Sequence, residues 1–229
     1  MNVHFILVEP SLQENVGASA RAMKTMGFEN LRLVNPCDFL SERAKWMAHG
    51  SVDILEKAAV YSNLRDAFQE MDLTVATTNR KRNIQRNYYD SEELIKLIRK
   101  KGSLVKNLGL VFGRENNGLT SSELMLCDLI STIPMKGSFP SLNLAQSVMV
   151  YAYSLSSLNI EISKQKENAA SDEKLLVIKK TVADLLARVG VAEKDVVASR
   201  IRERLACLRE SDLKLLHFIS KKINQKLNS

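Results

Sequence analysis

Residues 108–127 read LGLVFGRENNGLTSSELMLC. Leu108–Phe112 is a short apolar, partly β-branched run with the length of a buried strand. A polar loop flanked by Gly113 and Gly118 follows. Ser121–Cys127 then shows a helical pattern, with Ser121 and Glu123 where helix starts favour them. Further strand-like runs stand at Val3–Val8, Leu31–Asn35, Leu73–Thr77 and Leu129–Ile133. They alternate with helical patterns at Asn15–Met26, Ser62–Glu70, Ser91–Lys101 and Leu142–Leu158. This alternation predicts an α/β fold, a largely parallel sheet with helices on both faces.

The pattern stops near residue 160. Asn159–Asp172 (NIEISKQKENAASD) is polar and strand-poor. The predicted organisation is therefore a domain over 1–160, a linker over 161–172 and an all-helical extension over 173–229. The extension holds helical stretches at Glu173–Val189, Glu193–Leu208 and Ser211–Leu227, with apolar stripes Val197-Ile201-Leu205-Leu208 and Leu216-Ile219-Ile223-Leu227.

A hydrophobic fraction of 45% and a charged fraction of 26% exclude a wholly disordered chain. No apolar run reaches the length of a membrane-spanning helix, and MNVHFILVEP lacks the features of a signal peptide, so a cytoplasmic location is expected. Cys37, Cys127 and Cys207 match no zinc spacing and read as reduced thiols, and His4, His49 and His217 are too scattered for a metal cluster. The glycine fingerprint of nicotinamide enzymes and the P-loop are absent, as are HExxH and GxSxG. The net charge of +7 is uneven: residues 1–163 hold 18 basic and 17 acidic side chains, residues 164–229 hold 15 and 9. A basic surplus in the extension favours an acidic partner such as nucleic acid.

Three segments carry polar residues where a parallel sheet binds ligands. Asn15–Lys24 (NVGASARAMK) places small residues, a potential cap in Asn15, and Arg21 just after the first strand. It suits either a ligand contact or an Ala-rich packed helix with a surface arginine. Gly113-Arg114-Glu115 stands at the carboxyl end of a strand, a favoured ligand position, although a strand-to-helix turn has the same signature. Ile133-Pro134-Met135 and Pro140-Ser141-Leu142-Asn143 lead into a helix that Ser141 is placed to cap. Between them, Asn79–Arg86 (NRKRNIQR) is the densest basic run, an RNA-phosphate contact or a solvated loop.

In this order, NVGASARAMKTMG at 15–27, LVFGRENNGLT at 110–120 and IPM…PSLNLAQSV at 133–148 resemble the three motifs of the SPOUT methyltransferases. The likeness is to the ribose 2′-O-methyltransferase branch related to TrmH and TrmJ, including the small LasT-like proteins with a helical extension. It covers about residues 1–160 and implies a deep trefoil knot, S-adenosylmethionine as cofactor, no metal, and an RNA substrate, tRNA ahead of rRNA. It further implies a homodimer with the cofactor site near the subunit interface, Ser147–Ser157 being either interfacial or core. Carried onto this chain, it assigns cofactor binding to Thr77, Thr78, Asn79, Leu110, Gly113, Ile133, Met135, Pro140, Ser141, Leu142 and Asn143. The catalytic set is Arg21, Asn15, Glu115, Ser141 and Asn143, and the RNA-binding set Arg21, Arg80, Lys81, Arg82, Arg86 and Arg114. A guanidinium stays protonated near neutral pH, so Arg21 is read as a donor that orients a phosphate and stabilises a developing alkoxide. The alternative is an RNA-binding protein that keeps the scaffold without turnover.

Overall fold

Along Phe5-Ile6-Leu7-Val8 successive side chains point to opposite faces of a strand, yet none is more than 1% exposed, which requires cover on both sides. The computed structural model describes residues 1–80, 85–137, 141–162, 172–192, 195–206 and 210–227. Strand β1 (Asn2–Val8) leads to α1 (Gln13–Thr25), β2 (Asn30–Val34), α2 (Glu42–Ala48), α3 (Val52–Glu56), β3 (Ala59–Tyr61) and α4 (Leu64–Ala67). There follow β4 (Leu73–Thr77), β5 (Tyr88–Asp90), α5 (Ser91–Lys101) and β6 (Asn107–Phe112). The domain closes with α6 (Ser121–Leu126), β7 (Leu129–Thr132) and α7 (Leu144–Ile162).

The seven strands of the described residues lie in the order β3-β2-β1-β6-β4-β7-β5, and every pairing between them is parallel. The predicted α/β class is the observed one. β3 and β5 escaped the sequence reading because three-residue edge strands carry too little apolar alternation to register. On one face Phe5, Val75, Leu110 and Phe112 pack with Met23 of α1, Ala44 of α2, Leu94 of α5 and Tyr151 of α7. On the other, Ile6, Val8, Ala76 and Val111 meet Leu64 of α4 and Leu124 of α6.

Several local details correct the sequence reading. Asp90 and Thr120, not Ser91 and Ser121, cap α5 and α6, each closing a capping box with the glutamate three residues on. Asn15 does not cap α1: the helix starts two residues earlier, and Asn15 is a buried residue of its first turn. Gly17 serves a close approach, since a Cβ there would overlap the Ala44 carbonyl of α2.

In the extension α8 (Asp172–Arg188), α9 (Val196–Ala206) and α10 (Glu210–Leu227) follow. Most of the expected linker, residues 163–171, lies outside the described residues. Ile178 and Leu205 form a small cluster with Leu104, with Ile201 and Leu216 packed against it. The expected stripes are only partly buried, because the cluster draws on Ile201, Leu205 and Leu216 while Val197, Ile219 and Ile223 stay exposed. Lys179 fastens α8 to the sheet, reaching the Asp128 carboxylate at 3.0 Å and the Asp72 carbonyl.

Candidate active site

The strand order brings the carboxyl ends of β1, β6, β4 and β7 side by side, and the three polar segments extend from them. A cleft there is lined by Thr77, Thr78, Asn79 and Arg80 after β4, and by Phe112–Asn116 after β6. Ile133 and Met135 after β7, and Ser141 and Leu142 before α7, also line it, whereas the expected Leu110 and Asn143 do not. Thr78 N–H donates to the Ser131 carbonyl at 3.0 Å, tying the β4 loop to β7. Tyr151 Oη donates to Ser131 Oγ at 2.9 Å, and its ring meets Phe112 edge-on at 5.8 Å. Burial pushes the Tyr151 phenol up, so it is a neutral donor.

At one end of the cleft, three side chains from three segments join. Glu115 accepts from the Ser11 backbone N–H and hydroxyl at 3.0 Å each, from Leu12 N–H at 3.2 Å and from Asn15 Nδ2 at 3.0 Å. Partial burial pushes its carboxyl up, but the hydrogen bonds from Asn15 and these backbone groups outweigh it and hold the pKa below the usual carboxylate range. Leu12 has no side-chain oxygen to cap α1, so Glu115 receives the N–H groups at the helix entrance from the loop after the neighbouring strand β6. Asn143 Nδ2 donates to Asn15 Oδ1 at 2.8 Å. Asn143 also starts α7: its Oδ1 accepts from Ala145 N–H and Gln146 Oε1 accepts from Asn143 N–H. The capping role expected of Ser141 thus falls to Asn143.

Beside this group Arg114 is locked. Its Nε donates to Glu9 at 2.8 Å, and both terminal nitrogens donate to Glu123 at 3.0 Å, a two-pronged pair. Glu9 holds its place at the end of β1 with φ +45°. The hydrogen bonds of Glu9 and Glu123 raise the pKa of Arg114 and those carboxylates neutralise it, so its expected role as a phosphate contact is not what the geometry provides. Gly113 and Gly118 shape the loop between: a Cβ on Gly113 would overlap the backbone of Gly118 and Leu119, and Gly118 has φ +65°.

Other expectations separate. Arg21 is exposed on α1, outside the cleft lining of its own chain. Leu110 is 0% exposed inside the sheet, and Phe112, two residues on, supplies the apolar wall instead. Arg86 is a buried side chain that donates to the carbonyls of Leu124, Cys127 and Asp128, so it cannot meet a phosphate. Arg80 is exposed at the cleft rim and donates to the Asn116 carbonyl at 3.2 Å. Lys81, Arg82 and Pro140 lie outside the described residues. The sequence reading missed Glu9 and Glu123 beside Arg114, and Ser147 and Tyr151 of α7, which also line the cleft. Glu9 and Glu123 had a usable signal, each being an acidic residue beside a strand end or helix start. Among the described residues no group of His, Cys, Asp or Glu could hold a metal ion, and no helix is long and apolar enough to cross a membrane. Cys37 and Cys127 are free.

The residues present fit S-adenosylmethionine. The walls from Phe112, Ile133, Met135 and Leu142 suit a flat purine, and the polar rim suits a ribose and an amino acid. A sulfonium cation is also compatible, because the guanidinium of Arg114 is neutralised by two carboxylates.

A parallel sheet with a polar cleft over the carboxyl ends of its central strands is the architecture of an α/β enzyme. The model of the SpoU rRNA methylase family matches residues 2–153, and that of the C-terminal domain of the tRNA/rRNA methyltransferase LasT matches residues 172–227. The chain belongs to the SpoU rRNA methylase family. It is 40% identical over 217 residues, 95% of either chain, to an Escherichia coli protein named uncharacterized tRNA/rRNA methyltransferase LasT. It is 33% identical over 185 residues to the tRNA (cytidine-2′-O-)-methyltransferase TrmJ of Methanocaldococcus jannaschii, covering 78% of this chain and 79% of that one. The crystal structure of TrmJ from Z. mobilis superposes with a TM-score of 0.70 at 27% identity, covering 98% of this chain and 100% of that one.

Proposed function

We propose that this protein transfers the methyl group of S-adenosylmethionine to a ribose 2′-hydroxyl of a structured RNA, tRNA ahead of rRNA, and that it acts as a homodimer on a trefoil-knotted scaffold. The observation that carries the reading is the hydrogen-bonded series Asn143–Asn15–Glu115, which gathers the three motif segments at one end of the cleft. When bound, S-adenosylmethionine supplies an electrophilic methyl group; every remaining task falls to this chain's residues. The loops at Thr77–Asn79, Gly113, Ile133–Met135 and Ser141–Leu142 hold it. Glu115 and Asn15 fix the entrance of α1, and with it the orientation of the helix that bears Arg21. A ribose hydroxyl must lose its proton as it attacks, and Arg21 orients the neighbouring phosphate and stabilises the alkoxide charge.

The homodimer rests on the exposure of Arg21. The guanidinium makes no hydrogen bond or ion pair among the described residues, and it stands on α1, which packs beside α7. Tyr153 of α7 is a large aromatic left 69% exposed. A second copy seated on α1 and α7 covers Tyr153 and brings Arg21 to the neighbouring cleft. The deciding experiment is nucleoside mass spectrometry of tRNA and rRNA after incubation with the purified protein and methyl-labelled cofactor. A labelled 2′-O-methylnucleoside is expected in tRNA; label on a base, or cofactor binding without transfer, overturns the reading.

A further inference from the structure

The arginine expected to face RNA is instead the centre of a buried polar assembly that joins the extension to the cleft. The Arg86 side chain is 0% exposed, and its guanidinium donates to Leu124, Cys127 and Asp128 carbonyls at the end of α6 and the start of β7. Leu124 stands in the last turn of α6, whose carbonyls have no partner within the helix, and a cation there also meets the negative end of the helix dipole. The counter-charge comes from the extension. Glu203 of α9, 3% exposed, stands with Oε2 3.8 Å from Arg86 Nε, an ion pair too long for a hydrogen bond. Its other oxygen accepts from Tyr89 Oη at 3.1 Å. Arg202 of the same helix donates to the Met125 and Leu126 carbonyls, and Arg200 donates to the Gln85 carbonyl.

Glu203 therefore touches both ends of the segment Arg86–Tyr89, which contains the start of β5. That strand is three residues long and lies at the sheet edge, so its own ladder holds it weakly. It pairs with β7, Tyr89 opposite Ser131. Ser131 is the residue that takes Thr78 N–H and Tyr151 Oη, and β7 leads directly into Ile133 of the cleft. A continuous path runs from α9 through β5 and β7 to two of the loops assigned to the cofactor.

We infer that Glu203 is a positioning residue for the methyl-transfer site: through Arg86 and Tyr89 it holds β5 against β7, so that the extension sets the affinity of the catalytic domain for S-adenosylmethionine. This rests on the cofactor reading above. Burial lowers the pKa of Arg86 and Glu203 is the largest influence raising it, so removing the carboxylate takes the main counter-charge from a desolvated cation.

The test uses the full chain. Glu203→Gln keeps the shape and an oxygen for Tyr89 but removes the charge. It is expected to raise the KM and the Kd for S-adenosylmethionine by about ten-fold, inside the range of couplings between sites, with kcat changed less than about three-fold. Tyr89→Phe, a milder change, is expected to raise the Kd about three-fold, close to the loss of one hydrogen bond. Ile54→Val, in the core at α3 on the other side of β1, is the control for lost stability and is expected to leave the Kd within about two-fold of the parent. Unchanged cofactor affinity in folded Glu203→Gln and Tyr89→Phe, or an equal loss in Ile54→Val, overturns the inference. Absence of binding by the parent protein instead overturns the cofactor reading itself, which calorimetry on the parent decides first.

Discussion

Asn143 donates its side-chain amide to the side-chain oxygen of Asn15 at 2.8 Å, although 128 positions separate them in the chain. The direction of this bond follows from its neighbour. Glu115 is ionised and only accepts, so it takes the Asn15 NH2 and leaves Asn15 Oδ1 for Asn143; Asn143 Oδ1 is then free for Ala145 N–H. One carboxylate thereby fixes two amide orientations and the first turns of α1 and α7.

Reversing one partner should break that order. Asn15→Asp sets a carboxylate against Glu115 and removes a donor to it, a loss of about 1.5–3 kcal/mol for a hydrogen bond to a charged group. Methyl transfer is expected to fall sharply at pH 7. Thermal unfolding followed against pH should show the gap to the parent narrowing on acidification, as protonation relieves the repulsion. A gap independent of pH contradicts the assignment.

The carboxylates around the cleft predict the acid limb of stability. Glu9 and Glu123 are held below their usual range with Arg114 as a hydrogen-bond donor, and Glu115 by Asn15 and backbone N–H groups, against burial in the latter two cases. A depressed folded pKa gives stability that is present above the unfolded value, about 4.3, and lost as the pH falls through the folded value. The melting temperature should therefore drop steeply below that pH. Glu123→Gln should start lower at pH 7 and show a shallower drop, as calorimetric scans from pH 7 to 3 would show.

If Gly113 served only the cofactor contact that the resemblance assigns to it, an added Cβ would cost binding and nothing else. The structure puts the backbone of Gly118 and Leu119 in that space. Gly113→Val is thus expected to cost about 1–3 kcal/mol or more of stability as well as cofactor binding. Chemical denaturation and calorimetry on the same sample check both; loss of binding at full stability would restore the simpler account.

Arg21 should behave oppositely. Exposed and without an ion pair among the described residues, it can be replaced by Ala with stability changed by less than about 0.5 kcal/mol. Methyl transfer should vanish, and Arg21→Lys should fail too, since an ammonium lacks the planar fork of donors. Mixed dimers of Arg21→Ala with Gly113→Val chains should regain activity, because one cleft then holds intact cofactor loops and receives an Arg21 whose helix is still fixed by its own Glu115. No recovery in verified mixed dimers places Arg21 in its own chain's site.

Arg80 and Arg86 separate surface charge from buried charge. Arg80→Ala should weaken RNA binding and flatten its log–log dependence on salt by about one counterion or slightly less. Arg86→Ala should leave the slope unchanged and instead lower stability by about 3–5 kcal/mol, the loss expected when one partner of a buried ion pair is removed. Filter binding across a salt series, with melting curves, distinguishes the two.

The sequence by itself determined the α/β class, five of the seven strands of the described residues, and the three polar segments that line up at the strand ends, because apolar periodicity and strand-end glycines are local properties. It also located Asn15, Glu115 and Asn143, though not that they touch. Only the tertiary structure decided which arginines are available. Arg80, Arg86 and Arg114 look alike in sequence, yet one is exposed at the cleft, one is buried on backbone carbonyls, and one is neutralised by Glu9 and Glu123. A charge is spent by its neighbours in space, and those neighbours come from strands and helices far away in the chain.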